Sequence, residues 1–136
     1  MREIEKLLID TSALIEYMRG NRQAKELINK VHISQRYLPH IVAAELYHGQ
    51  YRIGKSRSEM FLLEGMISSF RLVLSDAETS HYFGQVKSAL EKVGKPIPVN
   101  DVWIAALAKQ HTLPLLAKDA HFRDVAGIEL IDLGKF

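Results

Sequence analysis

The chain is read as an α/β protein with a mainly parallel central sheet. Three observations predict this. Helical and strand-like patterns alternate along the whole length. The best strand candidates, Lys6–Asp10 and the stretch ending at Ala117, are continuously apolar, as expected of strands covered on both faces. Both are followed closely by an acid, Asp10 and Asp119. In an open parallel sheet the ligand crevice lies at the carboxyl ends of the strands.

The elements follow in order. Leu7-Leu8-Ile9 is the first buried strand. Thr11 and Ser12 are expected to cap a short helix carrying Ala13, Leu14, Tyr17 and Met18 on one face, which Gly20-Asn21 ends. Gln23 to Lys30 is a second helix, with Ala24, Leu27 and Ile28 facing inward. Arg36–Pro39 is a weak strand. Ile41 to about Ile53 is a helix with Glu45 near its middle, and Ser58 to Ile67 is another. Arg71–Leu74 is strand-like. Ser75-Asp76-Ala77-Glu78 matches a capping box and opens a long helix to about Val93, stopped by Gly94. Pro96 and Pro98 impose an extended approach, Asn100 is expected to cap, and a helix begins near Asp101. His111 to Ala117 is a turn and a short buried strand, and Ile128–Ile131 is a last strand at an edge.

Length and composition set bounds. The 136 residues suit one domain, 1–136, and show no repeat, low-complexity tract or linker. Hydrophobic residues at 47% and charged residues at 25% are those of a globular protein. No apolar run approaches the roughly 20 residues of a membrane span, and Met1 to Lys6 does not read as a signal peptide. With no cysteine, disulfides and thiolate metal sites are excluded. A cytoplasmic location is expected. The net charge of +2 is too mild to argue for a polyanionic partner by itself.

Chemistry points to the acids. Asp101 heads a helical face continued by Ile104, Ala105 and Ala108, an expensive place for a bare charge. If the strands before Asp10 and Asp119 are neighbours, both acids stand on one rim. The helix returning from Asp101 to the second strand brings Asp101 there too. Glu45 starts from an apolar helical surface beside Ile41 and Val42. Each acid alone has a structural explanation, as a strand-end turn former, a cap, a dipole partner or a solvated helix residue. Together they suggest a cluster. Two carboxylates ~4 Å apart repel by ~4 kcal/mol at an effective dielectric of ~20, so four need a cation. All-oxygen ligation suits Mg²⁺ or Mn²⁺. Such ions activate water and stabilise charge on a phosphoryl group.

The six histidines show no zinc-ligand spacing, and His121 is read as a bystander. Arg52, Lys55 and Arg57 are candidate phosphate contacts, with a solvated surface as the plainer alternative. Trp103, Tyr47 and Phe122 are read as core.

Four stretches carry a resemblance: Leu7-Leu8-Ile9-Asp10-Thr11-Ser12-Ala13, Ala43-Ala44-Glu45-Leu46-Tyr47-His48-Gly49, Val99-Asn100-Asp101-Val102-Trp103 and Leu116-Ala117-Lys118-Asp119-Ala120-His121-Phe122. In order and at these separations they resemble the PIN-domain family, most nearly its VapC-type toxin ribonucleases. The resemblance implies a three-layer α/β/α sandwich and a metal-dependent endoribonuclease. It implies catalysis and metal binding at Asp10, Glu45, Asp101 and Asp119, with Thr11 or Ser12 supporting Asp10. It further implies a structured RNA substrate such as tRNA, a homodimer and an inhibitory small antitoxin. Two positions depart from the pattern. Ala117 stands where relatives carry a hydroxyl, and His121 where another acid is common.

Competing functions stay open. A receiver-type signalling module would need adjacent acids after the first strand and a phosphoacceptor aspartate after a central one. Ile9-Asp10-Thr11 and Arg71–Ser75 supply neither. A DNA-directed nuclease would use the same acids on a different polymer. An inactive relative of the fold would only bind RNA or protein.

Overall fold

The computed structural model describes residues 3–54 and 56–135. Five parallel strands form one sheet in the order β3-β2-β1-β4-β5, where β1 is Leu7–Ile9, β2 Arg36–Pro39, β3 Arg71–Val73, β4 Leu115–Ala117 and β5 Leu130–Asp132. Six helices complete a three-layer α/β/α sandwich: α1 Thr11–Met18, α2 Arg22–Lys30, α3 His40–Ile53, α4 Arg57–Ser68, α5 Ala77–Lys92 and α6 Val99–His111.

The central pair is the one the apolar runs predict. Leu8 lies opposite Leu115 and Ile9 opposite Leu116, and every residue of β1 and β4 is buried. The last strand is at the edge, as expected, but is shifted to Leu130–Asp132 and only half buried. No helix among the described residues is long and apolar enough to cross a membrane.

Three helix starts differ from expectation. Asp10, not Thr11 or Ser12, caps α1, accepting from the Ser12 N–H. An aspartate at the strand end reaches back over the first turn without disturbing the strand. The box opening α5 is Asp76 with Thr79 rather than Ser75 with Glu78. Ser75 is drawn off by His40, whose Nε2 lies 2.9 Å from its hydroxyl. For α6 the cap position is Pro98, with no side-chain cap bond, and helix begins at Val99. Asn100 is therefore a first-turn residue and not the cap. A proline already fixed in extended geometry lets the helix start immediately after it.

Leu63 and Ile67 of α4 are buried, but Tyr51 and Ile53 of α3 and Phe61 and Leu62 of α4 are exposed. The fold thus leaves a large apolar flank outside its own core.

Candidate active site

The carboxyl ends of β1 and β4, with the second turn of α3 and the first of α6, gather the four predicted acids. Asp10 follows β1 and is 3% exposed. Asp119 follows β4 and caps the 3-10 turn Ala120–Asp124 by accepting from the His121 N–H. Asp101 lies in the first turn of α6, and Glu45 one turn into α3; both are half buried. Behind Asp101, Ile104, Ala105 and Ala108 are buried, so that carboxylate does head an apolar face.

Ser12 knits the two central strands together. Its hydroxyl lies 2.6 Å from Asp10 Oδ2 and accepts from the N–H groups of Lys118 and Asp119. The Thr11 hydroxyl donates to Glu45 Oε1 at 3.0 Å, while its backbone N–H supports Asp10.

Electrostatics separate these carboxylates from ordinary ones. Burial pushes Asp10 up to about 6, against the hydrogen bonds from Ser12 and helped by the nearby Asp101 charge. Burial raises Glu45, opposed by the Thr11 hydrogen bond and reinforced by Asp101. Burial also raises Asp101; His121 pulls it back and Asp119 pushes it further up. Asp101 is the common neighbour of the other three. The cluster disfavours its own full ionisation, which is the condition under which a cation binds well.

His121 is not a bystander. Its Nδ1 is 2.6 Å from Asp101 Oδ2 and 3.1 Å from Asp119 Oδ1. One atom each from Asp101, Asp119 and His121 lies within 4.8 Å of the others, close enough to share an ion. The available signal was its position two residues beyond Asp119, inside a turn that folds back over the acid. At the rim, Lys118 Nζ pairs with Glu16 Oε1 at 2.9 Å, a contact that no motif in the chain announces.

Arg52 and Arg57 are exposed near the α3–α4 junction, and Lys55 lies outside the described residues. Arg52 is seven residues beyond Glu45, about 10 Å along the helix axis. Phe122 is core. Tyr47 and Trp103 are only partly buried, and Trp103 rests on Phe83 at a ring-centroid distance of 4.2 Å.

Residues 7–128 match a family model described as the PIN domain. The chain is similar to Ribonuclease VapC2 of Haemophilus influenzae, at 29% identity over 84% of this chain and 86% of that protein. It is similar to Toxin FitB of Neisseria gonorrhoeae, at 27% identity over 83% of this chain and 87% of the toxin. In fold it resembles a crystal structure of FitAcB from Neisseria gonorrhoeae, with a TM-score of 0.82 and 25% identity over 93% of this chain and 96% of that one. DNA-bound VapBC from Salmonella typhimurium is also similar in fold, with a TM-score of 0.80 and 23% identity over 95% and 98% of the two chains.

Proposed function

The chain belongs to the PIN-domain family, and from that premise we propose that it is a metal-dependent endoribonuclease, the toxin of a toxin–antitoxin pair acting on structured RNA such as tRNA in the cytoplasm. The observation that carries this reading is the convergence of Asp10, Glu45, Asp101 and Asp119 on one crevice, with Asp10 pushed to about 6. The names of the relatives, a ribonuclease and a toxin, support the activity class.

The residues fit a hard divalent cation. The donors are carboxylate oxygens with one imidazole, sulfur is absent, and burial and mutual repulsion leave the carboxylates short of positive charge. Asp10, Glu45, Asp101 and Asp119 would hold Mg²⁺ or Mn²⁺. Bound there, the ion would supply an activated water and positive charge at the phosphoryl oxygens.

The chain's own residues prepare the reaction. Thr11 engages Glu45 Oε1, which leaves Oε2 to orient the attacking water and take its proton. Ser12 fixes Asp10 and the backbone before Asp119, so both acids keep their places on the rim. His121 occupies the gap between Asp101 and Asp119, with Nδ1 at 2.6 and 3.1 Å from one oxygen of each. Arg52, Lys55 and Arg57 are proposed to hold phosphates further along the RNA.

The same reading includes a small antitoxin partner, as complexes such as FitAcB and VapBC suggest. The exposed apolar residues of α3 and α4 support a homodimer. Light scattering should give twice the 15.5 kDa of one chain at micromolar concentration; a single-chain mass throughout would refute the dimer.

The deciding experiment uses purified protein free of inhibitor. It should cut a structured RNA with Mg²⁺ or Mn²⁺ and stop with EDTA. Equal cleavage with chelator would reject the metal mechanism. Cutting of DNA with indifference to RNA would change the substrate class.

A further inference from the structure

A cavity of about 470 Å³ opens beside Glu45 between α3, the end of β3 and the start of α6. His40, Glu45 and His48 line it from one face of α3; Ser75 closes one side, and Asn100 and Trp103 close another. Its size falls within the range of sites for small ligands. Resting on the ribonuclease reading above, we infer that this cavity receives an unpaired nucleobase of the RNA strand, next to the phosphate presented to the acids, with Trp103 as the stacking surface.

Four observations carry the inference. First, the cavity is continuous with the acidic crevice. Glu45 belongs to both, and Asp101 lies on the same turn of α6 as Asn100 and Trp103. A strand whose phosphate reaches the acids therefore presents a neighbouring base here. Second, among the described residues the lining has no lysine or arginine and includes a carboxylate, so it suits an uncharged base and repels a phosphate. Third, Trp103 is backed by Phe83 at 4.2 Å, which holds the indole in place as a stacking surface. Fourth, Asn100 makes no helix cap, which leaves its amide, donor and acceptor together, for the edge of a base. The carboxylate of Glu45 and the imidazole of His48 add hydrogen-bonding atoms at the rim. His40 and Ser75 hold each other at 2.9 Å and give the wall a fixed shape.

Trp103 is the chain's single tryptophan, so its emission reports on this cavity alone. Wild-type protein should be titrated with the four ribonucleoside 5′-monophosphates and with ribose 5-phosphate, with EDTA and with Mn²⁺. At least one nucleotide should quench saturably, and ribose 5-phosphate should not. Trp103→Leu should lower kcat/KM on RNA roughly 5- to 150-fold, and Trp103→Phe should restore most of it. Because Trp103 packs on Phe83, the exposed changes Asn100→Ala and His48→Ala provide an arm that does not threaten folding. Both should relax base preference beside the cut.

Identical responses to nucleotides and ribose 5-phosphate, or an unchanged cleavage pattern in both exposed variants, would overturn the inference. Nucleotide-specific quenching in a protein that cuts no RNA would defeat the ribonuclease reading while keeping the base site. Cleavage without quenching would do the reverse.

Discussion

Asp10 and Asp76 have the same local job. Each caps a helix and each accepts from the backbone N–H of a residue in that helix's first turn, Ser12 for Asp10 and Thr79 for Asp76. Their electrostatics are opposite. The Thr79 N–H and the Gln110 amide hold Asp76 below the ordinary carboxylate range, in an exposed setting. Burial carries Asp10 up to about 6 in spite of Ser12, and Asp101 adds to the rise. A cap is therefore neither a structural nor a functional residue by geometry alone. Water and like charge decide between the two.

The largest effect is expected where the like charge is removed. Asp101→Asn should lower RNA cleavage by two or more orders of magnitude, as when charge stabilisation at a phosphoryl group is lost. In EDTA it should melt at or above the wild-type temperature, because the neighbours of Asp101 are relieved of repulsion. Its gain from Mn²⁺ should shrink. Paired melts and cleavage rates check this. A variant that melts well below wild type in EDTA yet cuts normally would make Asp101 as structural as Asp76.

The next effect is on pH. Asp10 binds its proton more tightly folded than unfolded, so its own contribution to folding stability is fully present below the ordinary value of 3.8 and is lost as pH rises through about 6. A rise of about two pKa units corresponds to roughly 3 kcal/mol in the metal-free protein. Asp10→Asn should flatten that slope in pH-dependent melts. A cation must displace the same proton, so Mn²⁺ should bind about tenfold more weakly at pH 5 than at pH 7. Calorimetry in two buffers would register the released proton. Asp76 has the contrary sign: its contribution is present above 3.8 and lost as pH falls through its lowered value.

Ser12→Ala tests the hydroxyl. It removes the 2.6 Å bond to Asp10 and the acceptor for two N–H groups of the opposite strand. A loss of roughly 1 to 3 kcal/mol is expected, with the Asp10 midpoint moved further up. Denaturant melts across pH measure both. The smallest effect belongs to Asp76→Ala, which should lower the melting temperature by roughly 3 to 8 °C as a lost cap does. Cleavage by the folded protein should be unchanged. A large activity loss in that variant would erase the distinction drawn between the two caps.

The sheet was readable because Leu7–Ile9 and Leu115–Ala117 are unbroken apolar runs, and burial on both faces permits no alternation. The convergence of Asp10, Asp101 and Asp119 followed from that sheet and the helix that returns to it. The caps were less legible. Ser75, Asp76, Thr11 and Asn100 are all competent cap residues, and partners distant in sequence, such as His40 for Ser75, settle which one serves. The sequence places His121 two residues beyond Asp119 but leaves its contact with Asp101 open. A histidine's neighbours are fixed by how a 3-10 turn folds over a distant helix start, and no spacing rule in the chain expresses that.

The pairing of β1 with β4 has a consequence in time. Ser12 and Lys118, which join the two halves of the crevice, are 106 residues apart in the chain. Synthesis at about 5 to 20 residues per second separates their emergence by roughly 5 to 20 seconds. Between the emergence of Glu45 and that of Asp101, a nascent chain owns Asp10 and Glu45 but lacks the helix, the strand and the two acids that complete the crevice. The crevice can assemble only once β4 and Asp119 have emerged and paired with β1. Until then the acids of the first half have no partners across the sheet.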